Sequence, residues 1–124
     1  MTMEIEKQEN KKKFWGIVNY EIIGDGCLNG TWTNNDAGRG GVIMNEIARK
    51  NDNHQNEIVG SYFASWIEPN QQPITGALQI TQHGEELHFE WISNNVTMFK
   101  GIGLQVGLHH VIAFYWKSGD SFCI

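Results

Sequence analysis

The sequence predicts an all-β protein that folds as a single antiparallel up-and-down β-barrel of about eight strands. Short segments rich in aromatic and β-branched residues recur along the chain, turn residues separate them, and no segment has a strong helical pattern. A chain of 124 residues is long enough for one domain with one core. We therefore expect a polar N-terminal segment over residues 1–13 and one barrel domain over residues 14–124.

The predicted strands follow from alternation, and their connections follow from turn residues. In chain order the strands are 14–22, 27–35, 42–50, 57–68, 74–82, 86–93, 96–105 and 109–117. "IGDG", "HGE" and "NN" are typical of tight turns, and "EPNQQP" holds both prolines, which cannot donate to a strand ladder. The third strand has the weakest signal, because Ile43, Met44 and Ile47 fit a helical face about as well as a strand face. Its context favours a strand.

Glycines inside the predicted strands favour a closed barrel. Gly30 and Gly60 stand where glycine loses backbone entropy and offers no side chain for packing. Strands that wrap a tight cylinder must coil strongly, and a glycine at the corner removes the side chain that would clash. The apolar-x-Gly-x pattern recurs at 28–32, 58–62, 74–78 and 99–103.

Composition and charge exclude several classes of partner. The net charge is −5 and the basic run is confined to residues 11–13, which argues against nucleic acid. No stretch of roughly 18 apolar residues or secretory leader is present, so we expect a cytoplasmic protein without a membrane partner. Cys27 and Cys123 are too few for a disulfide framework, and free thiols are expected unless the chain ends meet.

The sequence indicates no catalytic group, no metal and no cofactor. His109 and His110 are adjacent, so on a strand they point to opposite faces, and His83 and His88 lie elsewhere. No two of the candidate carboxylates are spaced as an acid–base couple. They are Asp36, Glu68, Glu85, Glu86 and Glu90. An enzyme that uses a histidine or glutamate base at the barrel mouth stays an alternative.

Four segments, in chain order, resemble strands of the avidin and streptavidin family. "LNGTWTNN" is similar to a strand with Gly-x-Trp and a following asparagine, and "NEIVGSYFASW" to one with Gly-x-Tyr. "LHFEW" resembles a strand that ends in tryptophan, and "VTMFKG" one with threonine and an aromatic before glycine. The resemblance covers residues 27–116. It implies an avidin- or lipocalin-like barrel of the calycin type with a ligand at one mouth.

The resemblance also implies site residues. Asn34 and Tyr62 stand at positions that donate to the ureido oxygen of biotin, Trp91 and Phe99 at aromatic walls, and Thr97 at a hydroxyl for the ligand sulfur. Alternation places all of these, with Trp32, on the inner side of the strands. The ligand-binding set predicted in this way is Trp32, Asn34, Tyr62, Trp91, Thr97 and Phe99.

The chain departs from the family pattern in ways that argue against tight biotin binding. A serine expected beyond Asn34 is replaced near Gly38, a hydroxyl is replaced by Ala64, and Tyr115 or Trp116 only approximates the last wall tryptophan. The family's eighth strand has no counterpart, although "FWGIVNYEI" could close the barrel as a circular shift of the same architecture. Each unpaired ureido group would cost about 1 to 3 kcal/mol.

The leading functional prediction is a non-catalytic barrel that binds a small, partly apolar ligand. The alternative interpretation of the inner aromatic set is plain core filling, because small barrels fill their interiors with side chains. An interaction or assembly protein is the other alternative, since both faces are apolar at 57–67 and 109–116. Phe63, Phe114 and Trp116 would then form the interface of a homo-oligomer. The second half of the chain also resembles bacterial small β-domains, a likeness that carries no activity.

Overall fold

The computed structural model describes residues 13–24, 26–36, 44–51, 57–68 and 71–119, which form a closed barrel of eight antiparallel strands. The strands are β1 (Gly16–Ile22), β2 (Cys27–Asn34), β3 (Met44–Lys50), β4 (Gly60–Ile67), β5 (Pro73–His83), β6 (Glu86–Ser93), β7 (Val96–Val106) and β8 (His110–Lys117). Each strand pairs with its neighbours in the chain. The predicted fold class, an all-β up-and-down barrel of about eight strands, is therefore confirmed.

The first strand closes the barrel. Val18 of β1 is paired with Trp32 of β2 on one side and with Ala113 of β8 on the other. Along β1, Val18 and Tyr20 are buried, whereas Ile17 is 45% exposed. β1 thus pairs with both β2 and β8, and no unpaired strand edge is left between them.

The third strand places charged residues inside the barrel. Glu46, Ala48 and Lys50 are buried in alternation, while Ile47 is 43% exposed. The segment is a strand rather than a helix, and residues 42 and 43 of the predicted element lie outside the described part of the chain. The alternation was hidden because an isoleucine points outward and a glutamate inward.

Most of the bore is packed with side chains. Tyr20 and Phe89 are both fully buried and their rings stack with centroids 6.5 Å apart. Leu78 and Ile80 of β5 are also fully buried. Filling of this kind is expected for an eight-stranded barrel, whose interior is just wide enough for side chains.

Gly30 and Gly60 stand in strands for two different reasons. A Cβ on Gly30 would lie 2.8 Å from Cδ1 and Cε1 of Tyr20, so this glycine makes room for a ring on the paired strand. Gly60 begins β4 with φ +145°, a backbone conformation that side chains with a Cβ rarely adopt. Gly30 is thus required by the packing of the Tyr20 ring, and Gly60 by its own backbone conformation.

The connection between β6 and β7 determines where the following side chains lie. Asn94 and Asn95 form a two-residue turn with φ of 53° and 63°, the conformation that hairpins favour. Beyond it the register shifts, because Ile92 pairs with Thr97 whereas Trp91 pairs with Phe99. β7 therefore carries one extra residue, Met98, at this bulge.

Several predicted features lie partly or wholly outside the described residues. Cys27 is a free thiol, whereas Cys123 falls outside the described part of the chain, as do Gly38 and residues 1–12. Among the residues that the structure describes, no helix has the length and hydropathy that crossing a membrane requires.

Candidate functional site

A cavity of about 160 Å³ lies at one end of the barrel. Its lining includes Asn34 at the end of β2, Glu68 just after β4 and Lys117 at the end of β8. These positions define the mouth. Glu46 and Val18, which lie further along their strands, line its inner part.

Aromatic rings form most of the cavity wall. The rings of Tyr115 and Phe99 meet edge to face at 5.7 Å, and those of Tyr115 and Trp91 are 5.5 Å apart. Among the residues that the structure describes, the aromatic lining residues are Phe14, Trp32, Trp66, Trp91, Phe99 and Tyr115. Such a wall offers flat apolar surfaces and negatively polarised ring faces to whatever enters.

Phe14 belongs to the wall because Asn35 fixes the chain that precedes β1. The backbone N–H of Trp15 donates to Oδ1 of Asn35 at 3.0 Å, and Nδ2 of Asn35 donates to the carbonyl of Lys13 at 2.6 Å. Phe14, held between these bonds, stacks on Phe99 with ring centroids 5.7 Å apart. The asparagine that follows Asn34 thus shapes the mouth.

Asn34 is buried and hydrogen-bonded to two parts of the site. Its Nδ2 donates to the Tyr115 hydroxyl at 3.3 Å, and its Oδ1 accepts from the backbone N–H of Asp36 at 3.0 Å. The Tyr115 hydroxyl donates in turn to the carbonyl of Thr33 at 3.3 Å. These bonds fix both side chains against the end of β2.

Glu46 places a buried carboxyl group in the inner part of the cavity. The side chain is 4% exposed, and its Oε2 accepts a hydrogen bond from Nε1 of Trp91 at 3.2 Å. The same indole N–H lies 3.1 Å from the Tyr20 hydroxyl, which is itself hydrogen-bonded to Glu46. Burial raises the pKa of Glu46 to about 7, while the hydrogen bonds from Tyr20 and Trp91 limit the rise.

The two tyrosines around Glu46 stay protonated. Burial raises the pKa of Tyr20 well above its usual value, and the nearby Glu46 charge raises it further. Burial likewise raises the pKa of Tyr115, although its hydrogen bond with Asn34 opposes the shift. Both phenols are therefore hydrogen-bond donors near neutral pH.

The mouth carries further charged groups. Glu68 accepts a hydrogen bond from Nε1 of Trp66 at 2.8 Å. The amine of Lys117 lies over the Phe14 ring, 4.9 Å from its centroid. With Asp36 and Glu46, the described residues contribute three carboxyl groups and one amine to the lining.

The structure brings four of the six predicted site residues together. Trp32, Asn34, Trp91 and Phe99 all line this cavity. Tyr62 does not, because it lies towards the opposite end of the bore, where its hydroxyl donates to the carbonyl of Ile58 at 2.7 Å.

Thr97 is the second predicted residue that does not line the cavity. The bulge pairs it with Ile92, the neighbour of the inward-facing Trp91, so alternation turns Thr97 towards the outer side. A register shift of this kind is not visible in the strand pattern, from which Thr97 and Phe99 share one face. The ligand-binding roles of Tyr62 and Thr97 stay predictions.

Glu46 and Tyr20 were missed at the sequence level. The signal for Glu46 was its alternation with Met44, Ala48 and Lys50. This face mixes apolar and charged residues, and so does the other face with Asn45, Ile47 and Arg49, so the strand pattern does not show which face is inside. For Tyr20, the signal was its position opposite Gly30, since a ring can lie over a glycine on the paired strand.

A second concavity, of about 360 Å³, lies on the outer surface over β5, β6 and β7. Its lining includes His83 and His88, whose rings stack with centroids 4.0 Å apart, and Lys100. Over the described ranges, no three histidine, cysteine, aspartate or glutamate side chains are arranged to hold a metal ion.

Comparison of the chain with protein-family models, with curated proteins and with solved structures gives no match. The structure defines an eight-stranded up-and-down β-barrel with a cavity at one end.

Proposed function

We propose that the protein is a non-catalytic barrel that binds a small, partly apolar molecule in the cavity at its mouth. Trp32, Trp91 and Phe99 serve as walls, Asn34 lines the mouth, and Glu46 orients the polar part of the ligand. The observation that carries this proposal is an aromatic-walled cavity, with a carboxyl group in its inner part, in a bore that is otherwise packed.

The size of the cavity supports a small ligand or the head of a larger one. An apolar cavity of about 150 Å³ is large enough for a benzene ring, and this one measures about 160 Å³. Typical pockets for drug-sized ligands are larger, about 300 to 1,000 Å³. A ligand with more than about one ring would therefore extend through the mouth.

The avidin resemblance makes biotin a ligand to test, but the site is poorly equipped for its ureido group. Asn34 is already engaged with Tyr115 and Asp36, and Tyr62 lies away from the cavity. A ureido oxygen would meet few donors here, and each unmade hydrogen bond would cost about 1 to 3 kcal/mol. We expect weak biotin binding at most.

Titration of the protein with a panel of small aromatic molecules and biotin, followed by tryptophan fluorescence, tests the proposal. Three of the cavity walls are tryptophans, so an occupant should change their emission. Trp91→Ala should abolish the response while circular dichroism shows a retained β fold. A panel without any response would refute the binding function.

Self-assembly is a second candidate function, favoured by the outer surface of β1, β7 and β8. Trp15, Ile17 and Leu104 are 42%, 45% and 53% exposed, which leaves an apolar strip beside the half-buried Phe114. A solvated monomer has no need of such a strip. Sedimentation of the wild-type chain as a monomer would refute this candidate, and it would leave the cavity proposal intact.

A further inference from the structure

The indole and phenol hydrogen-bond donors around the cavity are already engaged within the protein. The indole N–H groups of Trp32 and Trp66 donate to the Asn45 carbonyl at 3.3 Å and to Glu68 at 2.8 Å. The Tyr115 hydroxyl donates to a backbone carbonyl, and the Trp91 N–H is shared between Tyr20 and Glu46. A ligand that needs donors from the protein therefore finds these groups occupied.

The acceptors of the cavity are in surplus. A carboxylate can accept about four hydrogen bonds, and Tyr20 and Trp91 supply two to Glu46. In the described part of the chain, no positively charged side chain pairs with Glu46, although it is more than nine-tenths buried. A buried carboxylate without a cation is unfavourable, so a cationic occupant with N–H donors would relieve an existing cost.

The wall also suits a cation. Ring faces attract ammonium groups, most strongly where water is excluded. The Lys117 amine over Phe14 shows that a ring of this wall already faces an ammonium group. Deeper in the cavity, Trp91 lies next to Glu46, so an aromatic face and a carboxylate are available together.

We propose that this cavity binds a small protonated amine attached to an apolar body. The N–H groups of the amine donate hydrogen bonds to the Glu46 carboxylate, and the surrounding rings face its positive charge. The inference rests on the binding function proposed above and names the class of ligand. A neutral or anionic molecule of the same shape is the competing occupant.

The titratable and charged groups around Glu46 determine how the affinity for an amine depends on pH. Tyr20 and Tyr115 face it as neutral phenols from β1 and β8, and Trp91 faces it from β6. Its paired neighbours, Gly30 on β2 and Trp66 on β4, carry no charge. At the mouth, Asp36 and Glu68 add negative charge and Lys117 adds positive charge. Ionisation of Glu46 should therefore strengthen the binding of an amine.

Benzylamine, benzyl alcohol and benzoate provide a matched series with one ring and a cationic, neutral or anionic group. Isothermal titration of the full chain at about pH 8 should show benzylamine bound at least about tenfold more tightly than benzyl alcohol, with benzoate weakest. Glu46→Gln should weaken benzylamine by about ten- to a hundredfold and change benzyl alcohol much less, because a glutamine side-chain oxygen still accepts a hydrogen bond from the hydroxyl. Glu86→Gln, which removes an exposed carboxylate at the other end of β6, is the control.

The wild-type protein supplies a second measurement that needs no variant. Between pH 5 and 7, benzylamine affinity should rise by up to about tenfold per pH unit, while benzyl alcohol affinity changes much less. Equal affinity for the two, or a Glu46→Gln protein that keeps its preference for benzylamine, would overturn the inference and leave the binding function standing. No heat or fluorescence response to any of the three would overturn both.

Discussion

Nε1 of Trp91 lies 3.2 Å from Oε2 of Glu46, so a strand on one side of the barrel is hydrogen-bonded across the bore to a strand on the other. Trp91 belongs to β6 and Glu46 to β3, with β4 and β5 between them. Tyr20 of β1 joins the same cluster. This polar cluster lies inside a packed core, where each member depends on the others for a partner.

The first prediction concerns stability against pH. The folded-state pKa of Glu46 is raised from 4.5 to about 7, so the folded protein holds a proton that the unfolded chain releases. This group therefore stabilises the fold less as pH rises from about 4.5 to 7, by roughly 3 kcal/mol in all. Urea unfolding should give similar free energies of unfolding for wild type and Glu46→Gln near pH 4.5. Towards pH 8 the two free energies should diverge, with Glu46→Gln the more stable.

Glu85→Gln is the control for this experiment, because it makes the same chemical change at an exposed turn position, whereas the neighbouring Glu86 contacts His88. Its unfolding free energy should follow the wild-type curve over the whole range. Parallel curves for wild type and Glu46→Gln would show that Glu46 keeps an ordinary pKa in the fold.

The second prediction isolates the indole N–H. Trp91→Phe keeps a ring in the wall but removes the hydrogen bond that lowers the Glu46 pKa, so this pKa should rise further. The variant should lose about 1 to 3 kcal/mol of unfolding free energy, since a buried acceptor loses its donor. The pH at the midpoint of the stability change measures the shift of the Glu46 pKa.

Trp32→Phe is the matched comparison for that variant. Trp32 lines the same cavity, but its N–H donates to the Asn45 carbonyl and not to Glu46. The pH midpoint should therefore stay at the wild-type value. An equal shift in both variants would mean that general loosening of the cavity, and not the Trp91 hydrogen bond, controls Glu46.

The sequence predicted the barrel well because its signals are repetitive. Alternation, glycine positions and turn residues such as Asn94 and Asn95 recur along the chain and support one another. The closing role of β1 also followed, because a strand left over at the front had a free edge to fill.

The site was less predictable. A single bulge at Met98 changes the side of the sheet to which Thr97 points, and the alternation of residues along the strand does not reveal the bulge.

The inner carboxyl group shows a second limit of sequence reasoning. A glutamate in an alternating strand is expected on the solvent side, because burial of a charge is costly. Glu46 is inside because Tyr20 and Trp91 come to it from strands that are distant in the chain. Partners of that kind belong to the tertiary structure and leave no local trace.

The third prediction separates two roles of strand glycines. A Cβ on Gly16 would lie 2.2 Å from Cζ of Tyr115, whereas one on Gly103 would lie 1.9 Å from the carbonyl oxygen of Ile112. Gly16→Ala should push the Tyr115 ring out of the cavity wall, while Gly103→Ala forces backbone apart. Both should lower the free energy of unfolding by about 1 to 3 kcal/mol, with Gly103→Ala the more damaging.

Ligand titration distinguishes the two glycine variants. Gly16→Ala should lose the fluorescence response to benzyl alcohol, because Tyr115 lines the cavity. Gly103→Ala should keep that response at a temperature where it remains folded. Retention of the response by Gly16→Ala would show that the position of Tyr115 does not matter for occupancy.

The fourth prediction tests which end of the barrel binds. Tyr62→Phe removes the hydroxyl that donates to the Ile58 carbonyl, so it should cost about 1 kcal/mol of stability. It should leave the benzyl alcohol titration unchanged, because Tyr62 does not line the cavity. Tyr115→Phe, the same change in the cavity wall, should alter that titration. Weaker binding in Tyr62→Phe alone would move the site to the opposite end of the bore.

The fifth prediction concerns the apolar strip on the outer surface. Ile17 and Leu104 lie on β1 and β7, on either side of β8, and about half of each side chain is exposed. If this strip is buried between copies of the chain, Ile17→Lys should convert the assembly into monomers, because a lysine ammonium is costly in an apolar interface. Thr81→Lys, which adds the same charge at an exposed position on β5, should leave the assembly intact. Sedimentation velocity compares the three proteins, and an unchanged assembly in Ile17→Lys would place the contact on another face.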